Sequence, residues 1–161
     1  MKKIYVSEND VKLYTSQLIR LMVLDEFKPD YVLGFARGGI LVANYISQWY
    51  DVPMYSINKH GPFSNSQDEW EYESFYKKEI QANILNQYKN ILVVDDINDT
   101  GKTLINFKST YDNLERFKYG VLIENSASPF YTDYAGYFIN KTEDPSWVVF
   151  PWENWWYSDH V

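Results

Sequence analysis

The sequence contains no cysteine. This absence excludes disulfide bonds, thiolate metal sites and cysteine nucleophiles, and it fits a chain that needs no oxidising compartment. A chain of 161 residues can bury a hydrophobic core without covalent or metal cross-links. We therefore predict a single domain over residues 1–161.

Long apolar runs are also missing. After Ile4, Tyr5 and Val6 the N-terminal segment turns acidic, and three apolar residues are too few for the core of a signal peptide. No stretch approaches the length that spans a membrane. We therefore expect a soluble, cytoplasmic protein without a membrane partner.

Basic residues are few. The chain has 15 lysines and arginines against 22 acidic residues, which gives a formal net charge of −7. Nucleic-acid-binding proteins usually present a basic face, whereas lysine and arginine form no cluster larger than a pair here. We expect no nucleic-acid partner. An anionic ligand would need local binding groups, such as a helix N-terminus, single basic side chains or a metal ion.

Aromatic residues, by contrast, are abundant, at 19% of the chain. Many of them lie in residues 70–76 and in the tail, residues 147–157. Most aromatic side chains in such positions are expected to pack in the core or at a subunit interface.

The first half of the sequence alternates between helix and strand patterns. The spacing of apolar residues predicts a helix over residues 8–26, and Ser7 with Asp10 fits a capping box at its start. A strand over residues 31–35, a helix over 40–50 with Ile40, Ala43 and Ile46 facing the core, and a strand over 53–57 follow. Such a strand–helix–strand unit implies parallel pairing with a right-handed crossover.

The second half contains the clearest strand, residues 91–95, whose apolar run is typical of a strand buried on both faces. We predict a loop over residues 96–101 and a helix over 102–115. Later strands are predicted at residues 119–123, 137–139 and 147–149. The predicted fold class is α/β, a mostly parallel central sheet flanked by helices. Its ligand is expected outside the carboxyl ends of the strands.

Residues 58–78 lack clean periodicity and are rich in turn-forming and polar residues. Long structureless connections in compact domains are usually functional or disordered. We predict a flexible catalytic loop here.

Residues 93–103 read Val-Val-Asp-Asp-Ile-Asn-Asp-Thr-Gly-Lys-Thr. The segment runs from the buried strand to a helix N-terminus, where backbone N–H groups favour a phosphate. Asp95 and Asp96 would repel phosphate, but they suit ribose hydroxyls or a hard cation such as Mg²⁺. The nucleotide-binding P-loop is excluded because it requires glycine at the position of Asp96. The acidic metal motif of prenyl-diphosphate enzymes lies on a helix, whereas this segment follows a strand.

This segment resembles the motif by which type I phosphoribosyltransferases bind phosphoribosyl pyrophosphate (PRPP): a hydrophobic strand, two acidic residues and Asp-Thr-Gly-x-Thr. The resemblance implies that Asp95 and Asp96 bind the ribose or Mg²⁺. It also implies that Asp99 is a catalytic residue that handles a proton near the base. The 5′-phosphate would be bound by Asp99, Thr100, Gly101, Lys102 and Thr103.

The segment Ala36-Arg37-Gly38-Gly39 is similar to the pyrophosphate-binding loop of the same family. In the family this loop often lies beside a non-proline cis peptide. The resemblance implies that Arg37, with Gly38 and Gly39, binds the diphosphate, and that Arg37 assists catalysis.

Residues 147–153 resemble the small C-terminal hood of the xanthine-guanine and related 6-oxopurine members, here placed with the tail in residues 125–161. Trp147 would stack on the base, and backbone groups from Val148 onward would contact its edge. Those enzymes usually carry a lysine just after the strand that follows the PRPP motif, but residues 121–126 contain none. Asn125 is the expected substitute, with Ser126 as an alternative. An isolated Glu124 facing the base would instead favour an amino group.

Together these resemblances imply transfer of the phosphoribosyl group from PRPP to a 6-oxopurine (guanine, hypoxanthine or xanthine), with Mg²⁺ as cofactor and a homodimer or homotetramer as the assembly. A base other than a 6-oxopurine (adenine or a non-purine) remains an alternative. So does a regulatory protein that binds PRPP without catalysis. The loop lysines Lys59, Lys77 and Lys78 are candidates for contacting pyrophosphate.

Overall fold

The computed structural model describes residues 1–58, 80–111 and 115–153. Seven strands and three α-helices occur in these residues, together with a π-helical turn at Gln81–Leu85. The strands are β1 (Lys2–Tyr5), β2 (Tyr31–Ala36), β3 (Met54–Asn58), β4 (Ile91–Asn98), β5 (Phe117–Asn125), β6 (Tyr134–Ile139) and β7 (Ser146–Val149). The helices are α1 (Glu8–Leu24), α2 (Gly39–Tyr50) and α3 (Lys102–Thr110).

Five of the strands form a sheet in the order β3-β2-β4-β5-β6, and all of its neighbouring pairs are parallel. The predicted βαβ unit and parallel sheet are therefore confirmed. From β2 the chain moves outward to β3 and then returns to form β4 on the other side of β2. This reversal makes the carboxyl ends of β2 and β4 a topological switch point, where α/β proteins bind ligands.

The sheet is buried on both faces, as the apolar run in β4 predicts. Ile91 and Val93 pack in the cluster that includes Leu104 and Phe107 of α3. The alternate residues of β4, Leu92 and Val94, join the cluster with Leu18 of α1 and Ile46 of α2. Helices on opposite faces of the sheet thus hold the ends of β2 and β4 in a fixed position.

Helix α1 begins with the predicted capping box. The Ser7 N–H donates to Asp10 Oδ2 at 2.9 Å, and the Asp10 N–H donates to Ser7 Oγ at 3.1 Å. The helix ends at Leu24, two residues before the predicted end, because Glu26 takes a left-handed conformation with φ 55°.

Three other predicted features differ from the structure. Strand β4 continues to Asn98, so Asp96 belongs to the strand and not to a loop. The helix predicted over residues 102–115 ends at Thr110, and residues 112–114 lie outside the described residues. Ile40, predicted to face the core, is 37% exposed because Val42, Ala43 and Ile46 form the buried face of α2.

The N-terminal strand β1 was not predicted from the sequence. It pairs in parallel with β7, which places Lys3 opposite Trp147 and Ile4 opposite Val148. The two ends of the chain therefore form a separate two-stranded β1–β7 sheet that carries the predicted base-stacking residue.

The predicted catalytic loop falls almost wholly outside the described residues, which resume at Ile80 after Asn58. Lys59, Lys77 and Lys78 lie in that gap, and the tail beyond Glu153 is likewise outside. In the described ranges, no helix combines the length and apolar character that crossing a membrane requires.

Candidate active site

The carboxyl ends of β2 and β4 bring two of the predicted segments into contact. A Cβ atom on Gly38 would lie 1.7 Å from Asp96 Oδ2, and one on Gly39 would lie 2.6 Å from the Val94 carbonyl oxygen. Only glycine allows the backbone after β2 to approach β4 this closely. The peptide between Ala36 and Arg37 is cis, as in the loop that this segment resembles. The exposed Arg37 therefore lies on a loop, residues 36–39, that packs against the acidic pair.

The acidic pair itself is buried at the end of β4. Asp95 is 1% exposed and Asp96 is 9% exposed. Asp95 Oδ1 accepts from the Asp96 N–H at 3.0 Å, and Asp96 Oδ1 accepts from the Ile97 N–H at 2.8 Å. These backbone donors orient both carboxylates.

The donor set of Asp95 and Asp96 fits Mg²⁺ in the way that this ion usually binds. Mg²⁺ is commonly held by one or two carboxylates together with substrate phosphates and water. Within the described parts of the chain, no group of three or more His, Cys, Asp or Glu side chains forms a cage. The pair therefore suits a metal ion that arrives with a phosphate-bearing ligand.

The predicted phosphate loop, residues 99–103, leads into α3. Gly101 has φ 75°, a left-handed conformation that side chains disfavour. The first backbone bond of α3 runs from the Ile105 N–H to the Gly101 carbonyl oxygen at 2.9 Å. The N–H groups at the start of an α-helix have no acceptor within the helix itself. A loop of this kind at a helix N-terminus favours an anion.

A buried polar network lies beneath this loop. Glu124, which is 2% exposed, accepts from Asn98 Nδ2 through Oε1 at 2.6 Å, and its Oε2 lies 2.6 Å from Thr132 Oγ1. Burial raises the pKa of the Glu124 carboxyl above its ordinary value, although the bonds with Thr132 and Asn98 oppose the shift. The idea that an isolated Glu124 faces the base is therefore wrong, because both of its oxygens are engaged inside the fold.

The same network supports the phosphate loop from behind. Asn98 Nδ2 also donates to the Phe130 carbonyl oxygen at 2.6 Å, and Ser128 Oγ donates to Asn98 Oδ1 at 3.1 Å. A Cβ atom on Gly101 would lie 2.9 Å from Ser128 Oγ and 3.1 Å from Phe130 Cβ. The segment after β5 thus packs against Gly101 and limits the space available to the loop.

Asp99 is held by side chains from two other segments. Asn125 Nδ2 donates to the Asp99 carbonyl oxygen at 2.9 Å, and Lys141 Nζ donates to Asp99 Oδ2 at 2.6 Å. Asn125 Oδ1 accepts from the N–H groups of Ala127 at 3.2 Å and Lys141 at 3.1 Å. The Asn125 amide, which was predicted to bind the base, is therefore already engaged. Its contacts indicate that Asn125 positions Asp99 and Lys141.

Trp147 lies close to the same place. Its side chain is 54% exposed, and the centroid of its ring is 5.8 Å from Lys141 Nζ. The neighbouring Val148 is 6% exposed and packs in the core, so it could reach a ligand through its backbone alone. The Lys141 ammonium group thus lies near both the Trp147 ring and the Asp99 carboxylate.

Lys141 was not found by reasoning from the sequence, which sought a lysine directly after β5. It follows β6 instead, 16 residues after Asn125 in the chain. The sequence did contain one feature that could have pointed to Lys141, since this residue is the sole lysine or arginine after Lys118.

The family described as phosphoribosyl transferase domain matches residues 2–159 of the chain. The chain belongs to this family. Membership confirms the predicted phosphoribosyltransferase resemblance, and the parallel α/β sheet is the fold expected with it.

The names of two relatives of this phosphoribosyl transferase domain specify different bases. An adenine phosphoribosyltransferase of Crocosphaera subtropica is 32% identical over 97 residues, which are 58% of this chain and 55% of that protein. A xanthine-guanine phosphoribosyltransferase of Cereibacter sphaeroides is 28% identical over 122 residues, which are 76% of this chain and 68% of that protein. The alignment thus spans about half the length of the adenine enzyme, and the two names leave the base open.

A solved structure shares the fold. The purine phosphoribosyltransferase of Pyrococcus horikoshii superimposes with a TM-score of 0.65 at 24% identity, over 95% of each chain. At this identity the likeness shows the fold alone, so the roles of individual residues rest on the geometry of this phosphoribosyl transferase domain.

Proposed function

We propose that the protein transfers the 5-phosphoribosyl group of PRPP to a purine base and releases pyrophosphate. The observation that carries this proposal is the packing of three groups at one end of the sheet. They are the Arg37 loop, the acidic pair and the phosphate loop, and Gly38 lies directly against Asp96. These groups match the three polar parts of PRPP, namely the diphosphate, the ribose hydroxyls and the 5′-phosphate.

Each group has chemistry that fits its part of PRPP. The N-terminus of α3 offers backbone N–H groups to the 5′-phosphate, with Thr100, Lys102 and Thr103 beside it. The carboxylates of Asp95 and Asp96 accept hydrogen bonds from ribose hydroxyls. Arg37 offers a positive charge to the diphosphate. Local groups of this kind allow a chain of net charge −7 to bind a polyanion.

In the proposed reaction, a ring nitrogen of the base attacks C1 of the ribose. The bond from C1 to the pyrophosphate oxygen breaks, and pyrophosphate leaves with the electron pair. The proton lost by the base is accepted by Asp99, whose carboxylate contacts Lys141 Nζ, the same ammonium group that lies over the Trp147 ring. Arg37 stabilises the charge that develops on the leaving group, and stacking on Trp147 positions the nitrogen.

Mg²⁺ is the proposed cofactor, held by Asp95 or Asp96. When bound, it would neutralise charge on the departing pyrophosphate. We also propose a cytoplasmic location, supported by the absence of cysteine, and a homodimer or homotetramer, supported by the abundance of aromatic residues. Sedimentation equilibrium measures the assembly directly.

The first test replaces Asp95 and Asp96 together by asparagine. The change keeps the side-chain volumes but removes both charges, so we expect PRPP affinity to fall by about tenfold or more, because a hydrogen bond to a charged group contributes about 1.5–3 kcal/mol. Titration calorimetry with PRPP and Mg²⁺ measures the affinity. Asp51→Asn is the control, since Asp51 ends α2 away from the site in a left-handed conformation that asparagine tolerates. Unchanged affinity in the double variant would refute the site.

The second measurement asks whether binding leads to reaction. The wild-type protein is incubated with PRPP, Mg²⁺ and one base at a time, and released pyrophosphate is measured. Release with a purine supports the proposal. PRPP binding without release for any base would instead favour the alternative of a regulatory protein that binds PRPP.

A further inference from the structure

Asn98 ends β4 between the acidic pair and the phosphate loop, and its side chain is buried at 2% exposure. Its Nδ2 donates to Glu124 Oε1 and to the Phe130 carbonyl oxygen, both at 2.6 Å, and its Oδ1 accepts from Ser128 Oγ at 3.1 Å. A side-chain amide has two N–H donors, so both are used inside the fold. Asn98 therefore acts on the site through other residues and not by contact with a ligand.

Two partners of Asn98 belong to the 128–130 segment, which packs behind Gly101. Ser128 is 2% exposed, and its Oγ would lie 2.9 Å from a Cβ atom on Gly101, with Phe130 Cβ at 3.1 Å. The Phe130 N–H also donates to Ser128 Oγ at 3.3 Å. The hydroxyl that lies against Gly101 is thus held by both Asn98 and its own segment.

Gly101 is the residue from which α3 begins. Its φ of 75° is left-handed, and its carbonyl oxygen accepts the first backbone bond of α3, from the Ile105 N–H at 2.9 Å. Glycine adopts many backbone conformations at little cost. Because the 128–130 segment leaves little space on one side of Gly101, it favours the conformation that starts the helix and leaves the first N–H groups available to an anion.

We propose that Asn98 and Ser128 are positioning residues for the 5′-phosphate, because they hold Gly101 and with it the first turn of α3. The inference rests on the proposed function for the identity of the anion. A loop that is ordered before binding loses less conformational freedom on binding, and its affinity is higher for that reason. The diphosphate should not depend on these two residues, since the Arg37 loop contacts β4 at Asp96.

The experiment compares two ligands that carry different parts of PRPP. Ribose 5-phosphate has the 5′-phosphate without the diphosphate, and magnesium pyrophosphate has the diphosphate alone. In Ser128→Ala, which removes the hydroxyl beside Gly101, we expect the affinity for ribose 5-phosphate to fall by about tenfold, the loss of one hydrogen bond to a charged group. The affinity for pyrophosphate should stay at the wild-type value. Calorimetry measures both affinities.

A second variant and a matched control separate positioning from stability. Asn98→Leu keeps the approximate side-chain size, adds no charge and removes all three hydrogen bonds, so it should show the same selective loss. Ser47→Ala is the control, since Ser47 is 8% exposed and its hydroxyl donates to the Val52 carbonyl oxygen after α2. This change also removes a buried serine hydroxyl, but away from the phosphate loop. Unfolding in urea measures the stability of all three variants.

Hydrogen exchange provides a readout that needs neither ligand nor turnover. The N–H groups of residues 101–105 should exchange faster in Ser128→Ala than in Ser47→Ala or the wild-type protein. A selective loss of ribose 5-phosphate affinity supports the inference even if no base releases pyrophosphate, which would count against the proposed function alone. Unchanged exchange or affinity in Ser128→Ala, equal loss for both ligands, the same loss in Ser47→Ala, or a wild-type protein that does not bind ribose 5-phosphate would overturn the inference.

Discussion

Glu124 is a buried carboxyl group whose hydrogen-bond network lies behind the predicted phosphate loop. The Thr132 hydroxyl has two potential acceptors, Glu124 Oε2 at 2.6 Å and the Tyr134 carbonyl oxygen at 3.2 Å, but a hydroxyl has a single hydrogen. If Glu124 is protonated, it donates to Thr132 Oγ1, and Thr132 donates to Tyr134. Burial, which raises the pKa of the Glu124 carboxyl, favours this arrangement.

We predict that Glu124→Gln preserves the network and that Glu124→Ala breaks it. The glutamine amide can donate to Thr132 while its oxygen accepts from Asn98. In the alanine variant buried polar groups lose a partner, which costs about 1–3 kcal/mol for an unsatisfied group. The free energy of unfolding in urea checks both variants. A glutamine variant as unstable as the alanine variant would contradict the protonated network.

The pH dependence gives a sharper form of this prediction. Below the ordinary pKa of 4.5 the carboxyl is protonated in the folded and unfolded states, so its stabilising contribution is fully present. As the pH rises through the raised pKa of the folded state, that contribution is lost. Glutamine does not titrate. The stability of Glu124→Gln relative to wild type should therefore increase as the pH rises above 4.5, and a constant difference would contradict the raised pKa.

At the scale of elements, the contact between the Arg37 loop and β4 couples two of the proposed binding segments. The Asp96 carboxylate lies against Gly38 and is held there by the Ile97 N–H. Any side chain at residue 38 must therefore displace the carboxylate or the loop.

We predict that Gly38→Ala weakens PRPP binding by about tenfold, the loss of one hydrogen bond to a charged group. The new methyl group would lie 1.7 Å from Asp96 Oδ2 and would force the carboxylate away from its position. Gly120→Ala is the control, because its nearest neighbour, Val94 Cγ1, would be 3.6 Å away in ordinary contact. Calorimetry with PRPP, together with thermal unfolding of both variants, separates lost binding from lost folding. Wild-type affinity in Gly38→Ala would contradict the coupling.

At the scale of the whole molecule, the β1–β7 sheet joins the two ends of the chain. β1 fixes β7 in register, with Lys3 opposite Trp147, and the Val6 N–H donates to the Val149 carbonyl oxygen at 2.9 Å. The position of Trp147 thus depends on residues at the opposite end of the sequence.

We predict that deletion of residues 1–5 raises the KM for the base while leaving PRPP affinity unchanged. Stacking on an aromatic side chain contributes about 1–3 kcal/mol per base, so the KM should rise by about fivefold to a hundredfold. Tyr5→Ala serves as the control, because this 70% exposed side chain can be removed without removing the strand. Steady-state kinetics with the base varied at saturating PRPP provide the measurement. An unchanged KM in the deletion variant would show that β1 does not position Trp147.

The sequence by itself determined the family, the parallel α/β sheet and the segments at its carboxyl end. Residues 93–103 and the Arg37 loop are contiguous motifs, and the strand and helix patterns around them are local properties of the chain. The ends of helices and strands were predicted less accurately, as Asp96 and Glu26 show. These ends depend on backbone hydrogen bonds and conformations that apolar periodicity does not encode.

Only the tertiary structure decided the surroundings of Asp99. Asn125 and Lys141 reach it from the ends of β5 and β6, and Trp147 is placed by pairing with β1. These contacts depend on strand order and on the register between parallel strands, which neither residue spacing nor a motif specifies. The lysine that is missing directly after β5 has no substitute nearby in the sequence, whereas the fold brings Lys141, from the turn after β6, into contact with Asp99, because side chains far apart in the chain meet only once the strands have paired.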